Sequence, residues 1–142
     1  MREIKTEIII DAPLKKVWNV LTDNEKYGEW NPFILKMEGR LKEGEKLKNV
    51  LLIDGKKETF KPVILAFEPE KKLEWVGTLP LGMLRGQHYF ILEKINNNQT
   101  KLRHGEQFSG WLSGLIMNKI CEPTRNGFQQ MNAALKLRAE AR

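Results

Sequence analysis

Cysteine and histidine are nearly missing from this sequence. Among 142 residues there is one cysteine, Cys121, and there are two histidines, His88 and His104. A single cysteine closes no internal disulfide, which excludes the small disulfide-stapled class. It also excludes a four-cysteine zinc site, so any metal site would have to lean on carboxylates. Long apolar runs are absent too. No stretch approaches the roughly 20 apolar residues of a transmembrane helix. Met1 to Ile10 interleaves Arg2, Glu3, Lys5 and Glu7 with its apolar residues, unlike the uninterrupted apolar stretch of a secretory signal. The expected location is the cytoplasm, with no stable membrane insertion. Repeats, low-complexity tracts and Ser/Pro-rich linkers are also lacking, so residues 1–142 are expected to form one domain.

What is present fits a folded globular chain: 41% hydrophobic and 30% charged residues. The formal charge of +6 permits an acidic partner but does not establish one. Lys15-Lys16, Lys56-Lys57 and Lys71-Lys72 are separate pairs in separate elements, each near acidic neighbours. No basic stripe interleaves with stacking aromatics, so no nucleic-acid partner is expected. There is no glycine-rich phosphate loop, no Gly-x-Ser-x-Gly elbow and no Cys/His nucleophile pair.

Periodicity changes type along the chain. Glu3 to Ile10 reads as a strand, with Ile4, Thr6, Ile8 and Ile10 on one face. Asp11 looks like a helix N-cap with Pro13 in the first turn, and Leu14, Val17, Trp18 and Leu21 form one helical stripe. Thr22 to Lys26 could add a turn, and Tyr27 to Phe33 reads as a loop because of Gly28 and Pro32. Strands follow over Phe33–Leu41, Lys46–Asp54, Glu58–Phe67, Leu73–Gly77, Arg85–Ile95 and Gln99–Phe108. Asp54-Gly55 is a strong hairpin signal, and Pro62 suggests an edge or a bulge. Trp111 to Ala141 is largely helical, with Leu112, Leu115, Ile116, Ile120, Met131 and Leu135 as its apolar side. Pro123 should kink this helix or mark where its main segment begins.

This order predicts an α+β fold. A curved antiparallel sheet of about six to seven strands wraps on a long C-terminal helix, with short helices after the first strand. Such an arrangement leaves room for a cavity between sheet and helix.

Several runs resemble a known family: Ile10-Asp11-Ala12-Pro13, Val17-Trp18, Asp23, Trp30-Asn31-Pro32-Phe33, Gly39 and Gly44, Leu73-Glu74-Trp75, His88-Tyr89-Phe90-Ile91-Leu92, and Thr100 to Gly110. From about Ile4 to Leu137 the chain is similar to the START-like (Bet v 1-like) helix-grip superfamily. The nearest branch is its polyketide cyclase/dehydrase, or SRPBCC, type. The resemblance implies the helix-grip fold. It spans carriers, cyclases and co-chaperones, so it leaves the activity open.

The histidines carry the most information. His88, Phe90 and Leu92 share one strand face, and Leu102, His104, Glu106 and Phe108 share another. The apolar members mark both faces as inward. His88, His104 and Glu106 then compose one of three things: a polar patch orienting a mostly apolar ligand, an acid/base pair using His104 or Glu106, or a two-histidine, one-carboxylate metal site. Alternatively, these groups simply satisfy one another inside the fold. No second ligand motif supports a metal, and neither metal nor cofactor is expected.

Trp30, Phe33, Phe60, Trp75, Phe90, Phe108 and Trp111 fall on inward faces or loop edges, as the lining of an apolar pocket would. Trp30 and Trp111 belong at a cavity mouth, whereas Trp18 belongs to the core. Thr78 to Gly86 is apolar for a loop and reads either as a movable lid or as a loop packed on the last helix. Cys121 reads as a small buried hydrophobe.

The leading expectation is therefore enclosure of a small hydrophobic, aromatic or lipid-like molecule by a monomer or homodimer. A polyketide cyclase/dehydratase-like enzyme and a co-chaperone-like interaction module are the alternatives.

Overall fold

The computed structural model describes residues 2–141. Eight strands and three α-helices follow one another in the order β1 (Arg2–Ile10), α1 (Leu14–Thr22), α2 (Tyr27–Trp30), β2 (Ile34–Glu38), β3 (Lys48–Ile53), β4 (Lys56–Phe60), β5 (Val63–Glu68), β6 (Lys72–Thr78), β7 (Arg85–Asn96), β8 (Gln99–Ser109) and α3 (Ser113–Glu140). The strands pair antiparallel in two sheets, β1-β8-β7-β6-β5 and β2-β3-β4. A bridge between Lys46 and Val63 stitches them together, reinforced by Leu47 N–H to Pro62 C=O and Ile64 N–H to Glu45 C=O. Helix α3 packs on β1, β8 and β3. This is the α+β helix-grip architecture.

Local chemistry explains most boundaries. Period-two isoleucines make β1, and Ile4 and Ile10 are fully buried. Asp54 and Gly55 both take positive φ, 51° and 75°, in the tight turn between β3 and β4. Lys61 and Pro62 divide the expected Glu58–Phe67 strand in two. A proline has no N–H for a ladder, so pairing stops and resumes, and an eighth strand results.

Four further expectations are corrected. Asp11 does not cap α1. The cap position is Pro13, without a side-chain bond, and the Asp11 carboxylate instead accepts from Gln99 Nε2 at 2.9 Å. Tyr27–Trp30 is a helical turn rather than loop, because the Tyr27 ring is fully buried and its hydroxyl donates to the Leu21 carbonyl. Glu122-Pro123 is not a helix boundary: α3 runs through Pro123. One backbone bond is lost there, and the burial of Met117, Phe128, Met131 and Leu135 along the same helix outweighs it. Leu115, assigned to the apolar side, is 69% exposed.

Phe33 and Phe128 meet edge-on, 5.4 Å apart, where α3 crosses the start of β2. The space for Phe33 comes from Gly127, since a Cβ there would overlap the Phe33 ring. Gly127→Ala should gain about 1 kcal/mol of helix propensity but cost roughly 1–3 kcal/mol of overpacking. The expected outcome is a net loss of stability in urea unfolding. A variant as stable as the parent would contradict this packing.

Candidate functional site

The inner face of the sheet carries two adjacent rows. Register places Trp75, His88, Glu106 and Ile4 side by side across β6, β7, β8 and β1. The next row is Leu73, Phe90, His104 and Thr6. Period-two alternation puts these residues on one face, and α3 closes over them. Phe128 stacks on His104 with ring centres 4.2 Å apart and planes 16° apart. Asn132, one turn further along α3, reaches the same imidazole.

A continuous polar chain results. The Glu106 carboxylate lies 3.4 Å from His88 Nδ1. His88 Nε2 meets His104 Nε2 at 2.7 Å. His104 Nδ1 meets Asn132 Oδ1 at 2.8 Å. Asn132 Nδ2 donates to Thr6 Oγ1 at 2.8 Å, and the Thr6 hydroxyl donates to the His104 carbonyl at 2.6 Å. Exposure falls along it: 18% of the Glu106 side chain is accessible against 4% of that of His88, and His104 is fully buried. Glu106 is thus the outermost member. Its carboxylate folds over Gly86, into space that a Cβ on Gly86 would take.

Burial controls the protonation of this chain. Desolvation pushes the Glu106 carboxyl up to about 8 and His88 down to about 3. It holds His104 well below its ordinary value, helped by the neighbouring His88 and opposed by the Asn132 bond. Desolvation thus favours the uncharged form of all three groups.

The remaining aromatics divide by place. Trp75 stacks on His88 at 4.8 Å, and Phe90 stacks on His104 at 4.2 Å. Phe33 and Phe108 are buried in the same core. Trp30 is half-buried and packs edge-on against Tyr27. Phe60, on β4, and Trp111, before α3, are 42% and 69% exposed. The structure therefore brings Trp75, His88, Phe90, His104 and Glu106 together and leaves Phe60 and Trp111 outside that cluster. Cys121 is half-buried and packs against the core.

The loop from Leu79 to Leu84 lies at the Glu106 end of the sheet. Leu79 N–H bonds to the Leu84 carbonyl, and Leu112 N–H to the Met83 carbonyl. The Trp111 indole donates to the Leu81 carbonyl at 3.0 Å. Leu81 holds a left-handed φ of 58°, an unfavourable conformation for a leucine, and is 89% exposed. With Leu79 and Trp111 it makes an exposed apolar rim at this end. The loop is tied to the residues that lead into α3.

Three residues that the periodicity did not single out belong here: Thr124, Phe128 and Asn132. They repeat every four residues on the buried stripe of α3, and a polar residue on such a stripe was the available signal. Thr124 Oγ1 on α3, Asn49 Oδ1 on β3 and Asn31 Nδ2 are buried without a hydrogen-bond partner among the described residues. Among the described residues no cluster of three or more metal-ligating side chains forms. A groove of about 810 Å³ on the opposite face of the sheet is polar, and its groups satisfy one another, as in Tyr89 to Glu3 and Gln87 to Glu74.

Comparison with known proteins agrees with this geometry. Residues 1–140 match the family described as polyketide cyclase / dehydrase and lipid transport. The chain belongs to that family. Among solved structures it is similar to an aromatase/cyclase from a Streptomyces species, at 17% identity and a TM-score of 0.78, covering 98% of this chain and 93% of that one. A hypothetical protein from Helicobacter pylori matches at 18% identity and a TM-score of 0.80, covering 98% and 88%. A START superfamily protein from Mycobacterium smegmatis matches at 16% identity and a TM-score of 0.74, covering 97% of each chain. At these identities the likeness shows the helix-grip fold. No curated protein matches the sequence. No helix among the described residues is long and apolar enough to cross a membrane.

The raised Glu106 carboxyl has a measurable consequence. Below its ordinary value of 4.5 it is protonated whether the chain is folded or not. Between 4.5 and about 8 only the unfolded chain ionises, so the folded state holds the extra proton and loses stability as pH rises. Glu106→Gln has no such dependence. Its stability relative to the parent should improve through this window by at most about 1.4 kcal/mol per pH unit and level off above it. Urea unfolding of both proteins across this range measures the difference. Parallel curves would show that Glu106 is not desolvated.

Proposed function

We propose that the protein binds a small, largely apolar molecule between the inner face of the sheet and α3. The observation that carries this reading is the set of polar groups set into an otherwise apolar interior. Buried polar atoms are nearly always paired, yet Thr124 Oγ1, Asn49 Oδ1 and Asn31 Nδ2 lack partners among the described residues. Glu106 keeps one edge accessible at the end of a paired chain. Aromatic walls with a few fixed polar groups are what a site of this class requires. Apolar burial supplies affinity, on the order of 25 cal/mol per Å², and the polar groups set orientation. Family membership supports the same reading.

Because His88, His104, Phe90 and Phe128 touch one another, a ligand enters from the Glu106 end and separates α3 from the sheet there. The tied loop Leu79–Leu84 and the exposed Trp111 and Leu81 form the rim it passes. Native mass spectrometry of the purified protein, before and after addition of a panel of aromatic and acyl compounds, tests this. A one-to-one apolar adduct is expected. Absence of any adduct across the panel removes the reading.

Thr124→Val removes one unpaired hydroxyl at nearly constant volume. The ligand-free variant should be more stable than the parent by up to about 1–3 kcal/mol while binding its ligand less tightly. Thermal unfolding and titration together check both halves.

A second reading, proton transfer to the bound molecule, is favoured by one observation: a carboxyl group at the accessible end of the site, where desolvation favours its protonated form. In that case Glu106→Gln lowers kcat and leaves KM close to the parent value.

A further inference from the structure

The polar chain fixes its own hydrogen positions, starting from a group that can only accept. The His104 carbonyl accepts from Thr6, so the Thr6 hydroxyl has spent its proton and can only accept from Asn132. The Asn132 atom beside Thr6 is therefore the amide nitrogen, and the oxygen faces His104 Nδ1. That nitrogen must carry a hydrogen. A neutral His104 then presents a lone pair at Nε2, and His88 must donate to it from its own Nε2. A neutral His88 is left with a lone pair on Nδ1, facing the Glu106 carboxyl.

Two charged alternatives exist. One puts the proton on His88 Nδ1, facing an ionised Glu106. The two groups stand 3.4 Å apart, longer than the roughly 2.7–2.9 Å of a charge-assisted bond. His88 is only 3% exposed, so this ion pair does not offset its desolvation. The other alternative moves the proton one step further, giving an ionised Glu106 and a cationic His104. It places an imidazolium at a fully buried position with no carboxylate in contact. Among the described residues, the carboxylate beside the pair is that of Glu106, next to His88 at the far end of the chain. From α3 the facing group is the neutral Asn132. From β1, Thr6 is neutral and Arg2 turns toward Gly114 of α3. From β7, Arg85 is held by Gln87. Nothing there compensates a buried cation.

Glu106 thus carries its proton on the oxygen that faces His88, and its other oxygen, over Gly86, is an acceptor. Resting on the ligand-binding reading above, we infer that the site takes an apolar molecule bearing a hydroxyl, which donates to this free oxygen of a protonated Glu106. A ligand ketone or ether would force the carboxyl proton outward and leave two lone pairs facing each other at His88. A ligand carboxylate would bring a charge into the same uncompensated interior.

Two measurements test this. The first needs no ligand. With only two histidines, nitrogen-15 NMR resolves each ring. It should show His104 protonated at Nδ1 and His88 at Nε2, both unchanged as pH falls past the ordinary histidine value of about 6.5. A His88 protonated at Nδ1, or either ring titrating near that value, overturns the inference.

The second compares 2-naphthol, 2-methoxynaphthalene and 2-acetylnaphthalene, titrated below the Glu106 pKa. The naphthol should bind roughly fivefold to tenfold more tightly than either acceptor-only probe. Glu106→Gln should keep that preference, because its amide nitrogen can donate to His88 and its oxygen can accept from the ligand. Glu106→Leu should lose it. Equal affinities of the three probes for the parent overturn the inference while leaving the binding reading standing. Loss of preference in Glu106→Gln also overturns it, since an ionised acceptor would then be required. Failure of all three probes to bind removes both.

Discussion

An imidazole with no exposed surface has to be neutral and has to satisfy both of its nitrogens. His104 is in that position, and much of the interior follows from it. Its two partners lie on different elements, Asn132 on α3 and His88 on β7. Its own backbone carbonyl engages Thr6 on β1. One ring therefore ties the long helix to three neighbouring strands. The same requirement explains why α3 turns an asparagine, along with Phe128 and Met131, toward the buried side. A purely apolar helix face would pack equally well and leave the histidine unpaired.

Aromatic stacking completes the arrangement. His104 lies between Phe90 and Phe128, and His88 lies against Trp75. These contacts fix the ring planes, which in turn fix the direction of the hydrogen bonds. The order of donors and acceptors then runs from the closed end of the interior to the open one. What a bound molecule meets at Glu106 is decided at Thr6, four links away through side chains, where the His104 carbonyl takes the hydroxyl proton.

The fold was legible in the sequence wherever local chemistry decides structure. Period-two isoleucines mark β1, Asp54-Gly55 marks a hairpin, and the alternation around His88 and His104 marks two inward faces. The site was legible in half: the two histidines and Glu106 stand out because such residues are rare on an apolar strand face. Asn132 and Thr124 were not visible in the same way. Their meaning comes from being opposite the sheet, and the rotation of α3 against β8 is a tertiary fact. The same rotation puts Leu115 outward despite its place in an apolar repeat. Asp11 misleads for a related reason, since it resembles a helix cap but its carboxylate is taken by Gln99, a distant residue on β8.

The burial of both histidines also shapes the outside of the molecule. Histidine is the side chain whose ordinary charge change falls near neutrality, and this chain has none on its surface. The exposed charged groups are carboxylates, ammonium groups and guanidinium groups, types whose ordinary charge changes lie outside that range. Electrophoretic mobility should therefore stay nearly constant across mildly acidic to neutral conditions. Within that span the surface presents the same electrostatic face to any partner, and the interior, where burial holds the Glu106 proton up to about 8, keeps its charge as well.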